Sequence, residues 1–172
     1  RNRFVAQVLR EKGLATLLID LLTSEEEEID IRTRRLRFDT DLLARRLIGA
    51  TDWLLQQPDT RELKIGYFGS STGAAAALIA ETERSGAIYA IVSRGGRPDL
   101  AGEALPKVKA PTLLIVGGND FPVISLNRQS LAALQAEKEL TIVPGATHLF
   151  EEPGALEKVA QLAGQWFQRH LA

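Results

Sequence analysis

Four short runs, "LKIGYF" at 63–68, "AIYAIV" at 87–92, "PTLLIVG" at 111–117 and "LTIVP" at 140–144, are almost wholly apolar and are separated by segments of helical periodicity. A strand with one wet face alternates apolar and polar residues, so runs without alternation belong to strands covered on both faces. The intervening segments are long enough to return the chain as a helix to a parallel neighbour. The spacing therefore predicts an α/β domain, a mostly parallel sheet with helices on both faces.

The helical segments are legible one by one. Residues 3–12 place Phe4, Val5, Val8 and Leu9 on one face and stop at Gly13, as a helix does at a C-terminal glycine. A long amphipathic helix is expected over about 40–57, carrying Leu42, Leu43, Leu47, Ile48, Trp53, Leu54 and Leu55 before Pro58. Further helices are expected at 72–83, about 123–136 and 153–171, with a Gly- and Pro-rich loop from Ser93 to Pro106. "LATLLIDLL" at 14–22 reads as a further buried strand, Glu25 to Glu28 as solvated charge in a loop or helix start, and "RTRRLR" at 32–37 as a neutralised surface segment. There is no internal repeat and no linker, so residues 1–172 are expected to form one domain.

Composition excludes several functions. A net charge of −1 gives no broad positive footprint for nucleic acid. No apolar run approaches the roughly 20 residues of a membrane helix, and no leader pattern opens the chain, so a cytoplasmic protein is expected. With 0 cysteines and only two histidines, His148 and His170, there is neither a disulfide nor material for a thiolate or imidazole metal site, and no cofactor is called for. His170, near the end of the last helix, reads as a surface group.

In an open parallel sheet, functional groups collect beyond the carboxyl ends of the strands. After 63–68 stands Gly69-Ser70-Ser71-Thr72-Gly73, a G-x-S-x-G sequence between a strand and a helix. So sharp a reversal strains the residue at its apex, Ser71, and favours glycine on either side. Ser71 also stands at the amino end of the next helix, where the Thr72 N–H is placed to donate to a developing oxyanion. A serine hydroxyl needs a base, and the base needs an orienting group. The run at 111–117 leads into "GGNDFPV" with Asp120, and the run at 140–144 into "PGATHLFEEPG" with His148. The chain order Ser, Asp, His is that of α/β-hydrolases. Other uses remain open to these residues: Asp120 as a helix cap, His148 as a backbone-bonded loop histidine, and Ser71 as part of an ordinary tight junction. Ser70 reads as structural, and Glu151 and Glu152 as exposed charge, with support of His148 by one of them as the alternative.

These residues resemble the dienelactone hydrolase family of α/β-hydrolases. "IGYFGSSTGAAAAL" is similar to the family's nucleophile elbow, "APTLLIVGGNDFPV" to its acid loop and "VPGATHLFEEPG" to its histidine loop, across 3–171. The resemblance implies Ser71 as nucleophile, Asp120 as orienting acid and His148 as general base. Family members proper use cysteine at the elbow; serine here points to ordinary esters. The resemblance also implies strands ahead of Arg1, one beside the elbow strand whose following loop supplies a second oxyanion N–H. The chain opens at Arg1 inside a helical pattern and lacks Met, so an N-terminally truncated α/β-hydrolase domain is expected, or a homodimer in which a second subunit fills the gap.

"SRGGRPDLAG" at 93–102 follows a strand, which makes Arg94 and Arg97 candidates to grip an anionic substrate, with solvation or pairing to Asp99 as the plainer alternative. The function expected is a serine hydrolase, of carboxylesterase or lactonase type, acting on a small-molecule ester. The competing expectation is a catalytically weak hydrolase-like scaffold that binds a small ligand or a partner protein.

Overall fold

The four apolar runs form one parallel sheet in the spatial order β1-β2-β3-β4: β1 (Ile65–Ser70), β2 (Ile88–Arg94), β3 (Thr112–Gly117) and β4 (Lys138–Val143). The computed structural model describes all residues 1–172. Ser70 pairs with Arg94, and Arg94 with Ile115, so β1, β2 and β3 end side by side and deliver their following loops to one edge of the domain.

Six α-helices surround the sheet: α1 (Asn2–Glu11), α2 (Ser24–Thr33), α3 (Thr40–Gln56), α4 (Thr72–Glu83), α5 (Phe121–Ala133) and α6 (Ala155–Leu171). The Gly/Pro-rich stretch contains a 3-10 segment, Pro98–Lys107, broken at Gly102 where φ is 49°. On one face of the sheet α3, α4 and α5 bury Leu43, Ile48, Leu78 and Leu134 against Ile91 and Leu114. On the other, α1 and α6 bury Val5, Leu9, Val159 and Phe167 against Val92, Leu113 and Ile115. Consecutive residues of β2 and β3 thus enter different cores, which is why neither strand alternates. No helix is long and apolar enough to cross a membrane.

Some of the buried polar groups tie elements together. The Tyr67 hydroxyl lies 2.6 Å from Thr51 Oγ1, joining β1 to α3. Glu81 of α4 is completely buried and accepts from the backbone N–H groups of Lys109 and Ala110 at 3.2–3.3 Å, fixing the entry to β3. Burial pushes the Glu81 carboxyl above the usual range, against the lowering effect of those two N–H donors.

Three expectations need correction. Residues 14–22 are not a strand: they adopt no regular structure, and Leu17, Leu18 and Ile19 are exposed. An apolar run becomes a strand only beside a partner that takes its hydrogen bonds, and the sheet consists of β1 to β4 alone, with β1 at its edge. His170 is not a surface group; its side chain is 12% exposed, 4.6 Å between ring centroids from Trp166 and 3.7 Å from Glu137. On α3 the buried stripe is Leu43, Ala44, Ile48 and Thr51, whereas Trp53 and Leu55 face outward. The acidic stretch is a helix start, as expected: Thr23 and Glu26 form a reciprocal capping box at the beginning of α2. Arg46 then binds Glu26 through two bonds, and Arg37 binds Asp30.

Candidate active site

The turn from β1 into α4 passes through Ser71, whose φ of 51° and ψ of −124° lie in territory a side chain rarely adopts. Such a conformation costs on the order of 1–3 kcal/mol and persists where the surroundings enforce it. Gly69 shows the enforcement: a Cβ there would lie 2.6 Å from the Gly73 carbonyl oxygen and 2.7 Å from Ala74 N and Cα. Gly73 differs from expectation, since a Cβ at that position meets nothing within 4 Å. The close approach is made by the strand side of the elbow, and Ala74 to Ala77, nearly inaccessible, let α4 press on the sheet. Ser71 begins α4 without its hydroxyl capping the helix, and the Thr72 N–H, in the first turn, has no intrahelical acceptor.

Asp120 and His148 come together from the ends of β3 and β4. His148 Nδ1 lies 2.7 Å from Asp120 Oδ2, with the carboxylate side chain 11% and the imidazole 41% exposed. An ionised carboxylate only accepts, so Nδ1–H donates and Nε2 is left with its lone pair free. Asp120 does stand at the start of α5, but its side chain does not cap that helix; it is turned to His148 instead. The two loops are braced against each other, with Gly118 N–H donating to Val143 O at 2.8 Å and Asn119 N–H to Ala146 O at 2.9 Å. A Cβ on Gly117 would fall 2.4 Å from Ala146 O, so this bracing requires glycine.

The segment after β2 joins the elbow to the histidine loop. Arg97 N–H donates to the Ser71 carbonyl at 3.0 Å. Two residues earlier, Gly95 sits so close to His148 that a Cβ would lie 3.1 Å from its carbonyl oxygen and 3.5 Å from Nδ1. Ser71 and His148 thus flank the same short stretch, although no hydrogen bond joins Ser71 Oγ to the imidazole. The arginine pair splits. Arg97 is engaged with Asp99 through two bonds of 2.9 and 2.8 Å, the plainer alternative. Arg94 is buried, 8% exposed, and its Nε and Nη1 have no partner. Burial, with a further contribution from the charge of Arg1, pushes the Arg94 guanidinium below its usual range.

Two residues support the site, Glu152 as the alternative to exposed charge allowed and Asn127 without any sequence signal. Glu152 accepts from Thr147 N–H at 3.1 Å and Thr147 Oγ1 at 2.6 Å, closing the turn around His148; the Thr147 hydroxyl bond holds its carboxyl below the usual range. The local signal was a threonine five residues before a glutamate. Asn127 of α5, fully buried, donates to the Gly96 carbonyl at 3.1 Å and so ties α5 to the segment beneath the elbow. No local pattern announced it. Glu151 pairs with Arg1. No group of three His, Asp or Glu side chains is placed to hold a metal ion.

Comparison with known proteins bears on the fold and the family. The model of the Dienelactone hydrolase family matches residues 2–171. The crystal structure of a dienelactone hydrolase from Anabaena variabilis is 67% identical and superposes with a TM-score of 0.96, over 99% of this chain and 79% of that one. A Mycobacterium tuberculosis protein provisionally named a phosphoribosyl transferase is 59% identical over 171 residues. That match takes in 99% of this chain but 38% of the relative, so the chain spans well under half the length of this curated relative. Carboxyl esterase 2 of Tuber melanosporum shares the fold, with a TM-score of 0.74 at 18% identity over 99% of this chain and 73% of that one.

Proposed function

Because the chain belongs to the dienelactone hydrolase family, we propose that it is a serine hydrolase cleaving carboxylic esters through an acyl-enzyme on Ser71. In this reading Ser71 Oγ attacks the ester carbonyl while His148 Nε2 takes its proton. The tetrahedral oxyanion accepts from the Thr72 N–H at the amino end of α4. Collapse expels the alcohol, which leaves with the proton from His148; water then attacks the acyl group, gives a proton to His148, and releases acid and free Ser71. Asp120 keeps Nδ1 protonated throughout, so Nε2 always faces the reaction as the base. The steps call on no metal or organic cofactor.

The observation that carries the reading is the 2.7 Å Asp120–His148 bond at the strand ends beside a serine held at positive φ. A satisfied structural histidine would not need a serine strained open two loops away. The competing scaffold reading draws support from β1, the elbow strand, being an edge of the sheet, and from the length of the mycobacterial relative, whose transferase name belongs to a polypeptide this chain matches over 38%.

A fluorophosphonate probe separates the two. The protein at its natural length is expected to take up one equivalent at Ser71, located by peptide mass spectrometry, and Ser71→Ala is expected to lose both label and at least about 10³-fold of p-nitrophenyl butyrate hydrolysis. An unlabelled Ser71 together with equal rates for the two proteins would leave the scaffold reading standing.

A further inference from the structure

We propose that Gly95-Gly96-Arg97 is a strap that sets the candidate nucleophile against the candidate base, and that Asn127 of α5 is the positioning residue that locks it. The expected loss of rate rests on the hydrolase reading above, whereas the lock does not.

Asparagine is a poor filler for a core. Asn127 is completely buried and its Oδ1 has no partner, so the fold carries an unsatisfied polar atom that an apolar side chain of similar shape would avoid. What the residue contributes are two donations from Nδ2. One goes to Val123 O at 2.8 Å, a turn back on the same helix, and ties nothing together. The other goes to Gly96 O at 3.1 Å and is the one that leaves α5. Gly96 is itself buried and its carbonyl accepts from no backbone N–H, so the Asn127 amide is what keeps that oxygen from being stranded.

Each strap residue touches a different part of the site. Gly95, at a φ of 50°, donates its N–H to Ile115 O at 2.7 Å and lies against the histidine loop, where a Cβ would stand 3.1 Å from His148 O and 3.3 Å from the Phe150 ring. Gly96 is pressed between β2 and α4: a Cβ there would overlap Ser93 Oγ and stand 2.5 Å from Ala74 Cβ. Arg97 donates its N–H to Ser71 O at 3.0 Å. Asn127 stands on the helix that begins one residue after Asp120. A single amide group, on the helix that follows the candidate acid, therefore fastens three residues that meet the histidine loop at one end and the nucleophile's own carbonyl at the other. A shift of the strap displaces Ser71 relative to His148 without altering either, and a misplacement of about 1 Å can cost about 10²-fold in rate.

The test compares the natural-length protein with Asn127→Leu, which keeps the volume and removes both donations. Thr51→Val, which breaks the buried bond between Thr51 and Tyr67, serves as a destabilised control away from the strand ends. Both variants are expected to melt lower than wild type and are assayed well below their Tm. In Asn127→Leu, kcat for p-nitrophenyl butyrate and the rate of fluorophosphonate labelling are each expected to fall by about 10- to 100-fold, with KM changed by less than about threefold. Deuterium exchange of the Arg97 amide, followed by NMR, is expected to quicken at least about tenfold relative to the Ile91 amide of β2. Thr51→Val is expected to keep kcat within about twofold of wild type and to leave that exchange ratio unchanged. Gly96→Ala, which displaces the strap directly, is expected to lower kcat in the same way, and its combination with Asn127→Leu to lose less than the product of the two single losses.

An unchanged exchange ratio in Asn127→Leu overturns the lock. A quickened Arg97 amide with a labelling rate within about twofold of wild type overturns the positioning role. So does a fall of kcat in Thr51→Val as large as that in Asn127→Leu, which would reduce the effect to stability. Labelling of the wild type separates this proposal from the hydrolase reading. If wild-type Ser71 takes up no fluorophosphonate, the hydrolase reading fails by itself, and the exchange ratio still decides the lock, sustained by a quickened Arg97 amide and sunk by an unchanged one.

Discussion

Replacing Gly69 by alanine should damage the elbow, whereas the same change at Gly73, four residues on, should be harmless. The added methyl at 69 would sit 2.6–2.7 Å from three backbone atoms, Gly73 O, Ala74 N and Ala74 Cα. Ordinary carbon contacts are about 3.5–4.0 Å, so the overlap approaches 1 Å with groups that cannot rotate away. Overpacking typically costs 1–3 kcal/mol; with a helix backbone as the obstacle, about 3 kcal/mol is expected. For a domain of this size that lowers Tm by roughly 6–12 °C. At Gly73 the methyl meets nothing within 4 Å and lies inside α4, where alanine is favoured over glycine by up to about 1 kcal/mol. Thermal melts by circular dichroism on the wild type and both variants check this, with ester hydrolysis as a second readout that should fall in Gly69→Ala. A Gly69→Ala protein melting within about 2 °C of wild type would refute the claim that backbone contact at 69 holds Ser71 at positive φ.

Two further perturbations test other parts of the argument. Asp120→Asn should lower kcat for p-nitrophenyl esters by about 10³–10⁴-fold with little change in Tm, because an amide nitrogen facing Nδ1 favours the tautomer whose Nε2 carries a hydrogen; a rate within tenfold of wild type would remove Asp120 from its orienting role. Glu81, whose carboxyl is raised by burial, favours the folded state most when protonated, so its contribution is fully present below the unfolded-state value and is lost as pH rises through the raised one. The difference in Tm, Glu81→Gln minus wild type, should therefore grow as pH rises above about 4.5, and calorimetric scans giving a constant difference would contradict it.

Much of this protein was legible before folding. Each helix closes its hydrogen bonds within its own segment, so periodicity, the stop at Gly13 and the break before Pro58 were enough to place α1 and α3. The central strands β2 and β3 announced themselves because both of their faces enter cores, leaving no alternation to mislead. The elbow was readable because G-x-S-x-G between strand and helix is a local geometric demand. The chain order of Ser71, Asp120 and His148 singled out three residues of which the fold joins Asp120 to His148, and Gly73 lacks the steric role that Gly69 has within the motif.

What the sequence could not determine were outcomes that depend on a distant partner. Residues 14–22 have the composition of a strand, but strandhood belongs to a pair, and no neighbour in the sheet takes their hydrogen bonds. Arg94 and Arg97 are indistinguishable as letters in one loop; the fold turns Arg97 onto Asp99 and buries Arg94 with two nitrogens unsatisfied. Glu152 looked like surface charge until the turn around His148 closed on it, and His170 until α6 laid it against Trp166. Local propensity and period are encoded residue by residue, so the sequence alone determined the elements and the order of the site. Pairing, burial and electrostatic environment arise only when segments far apart in the chain meet, and those only the tertiary structure decided.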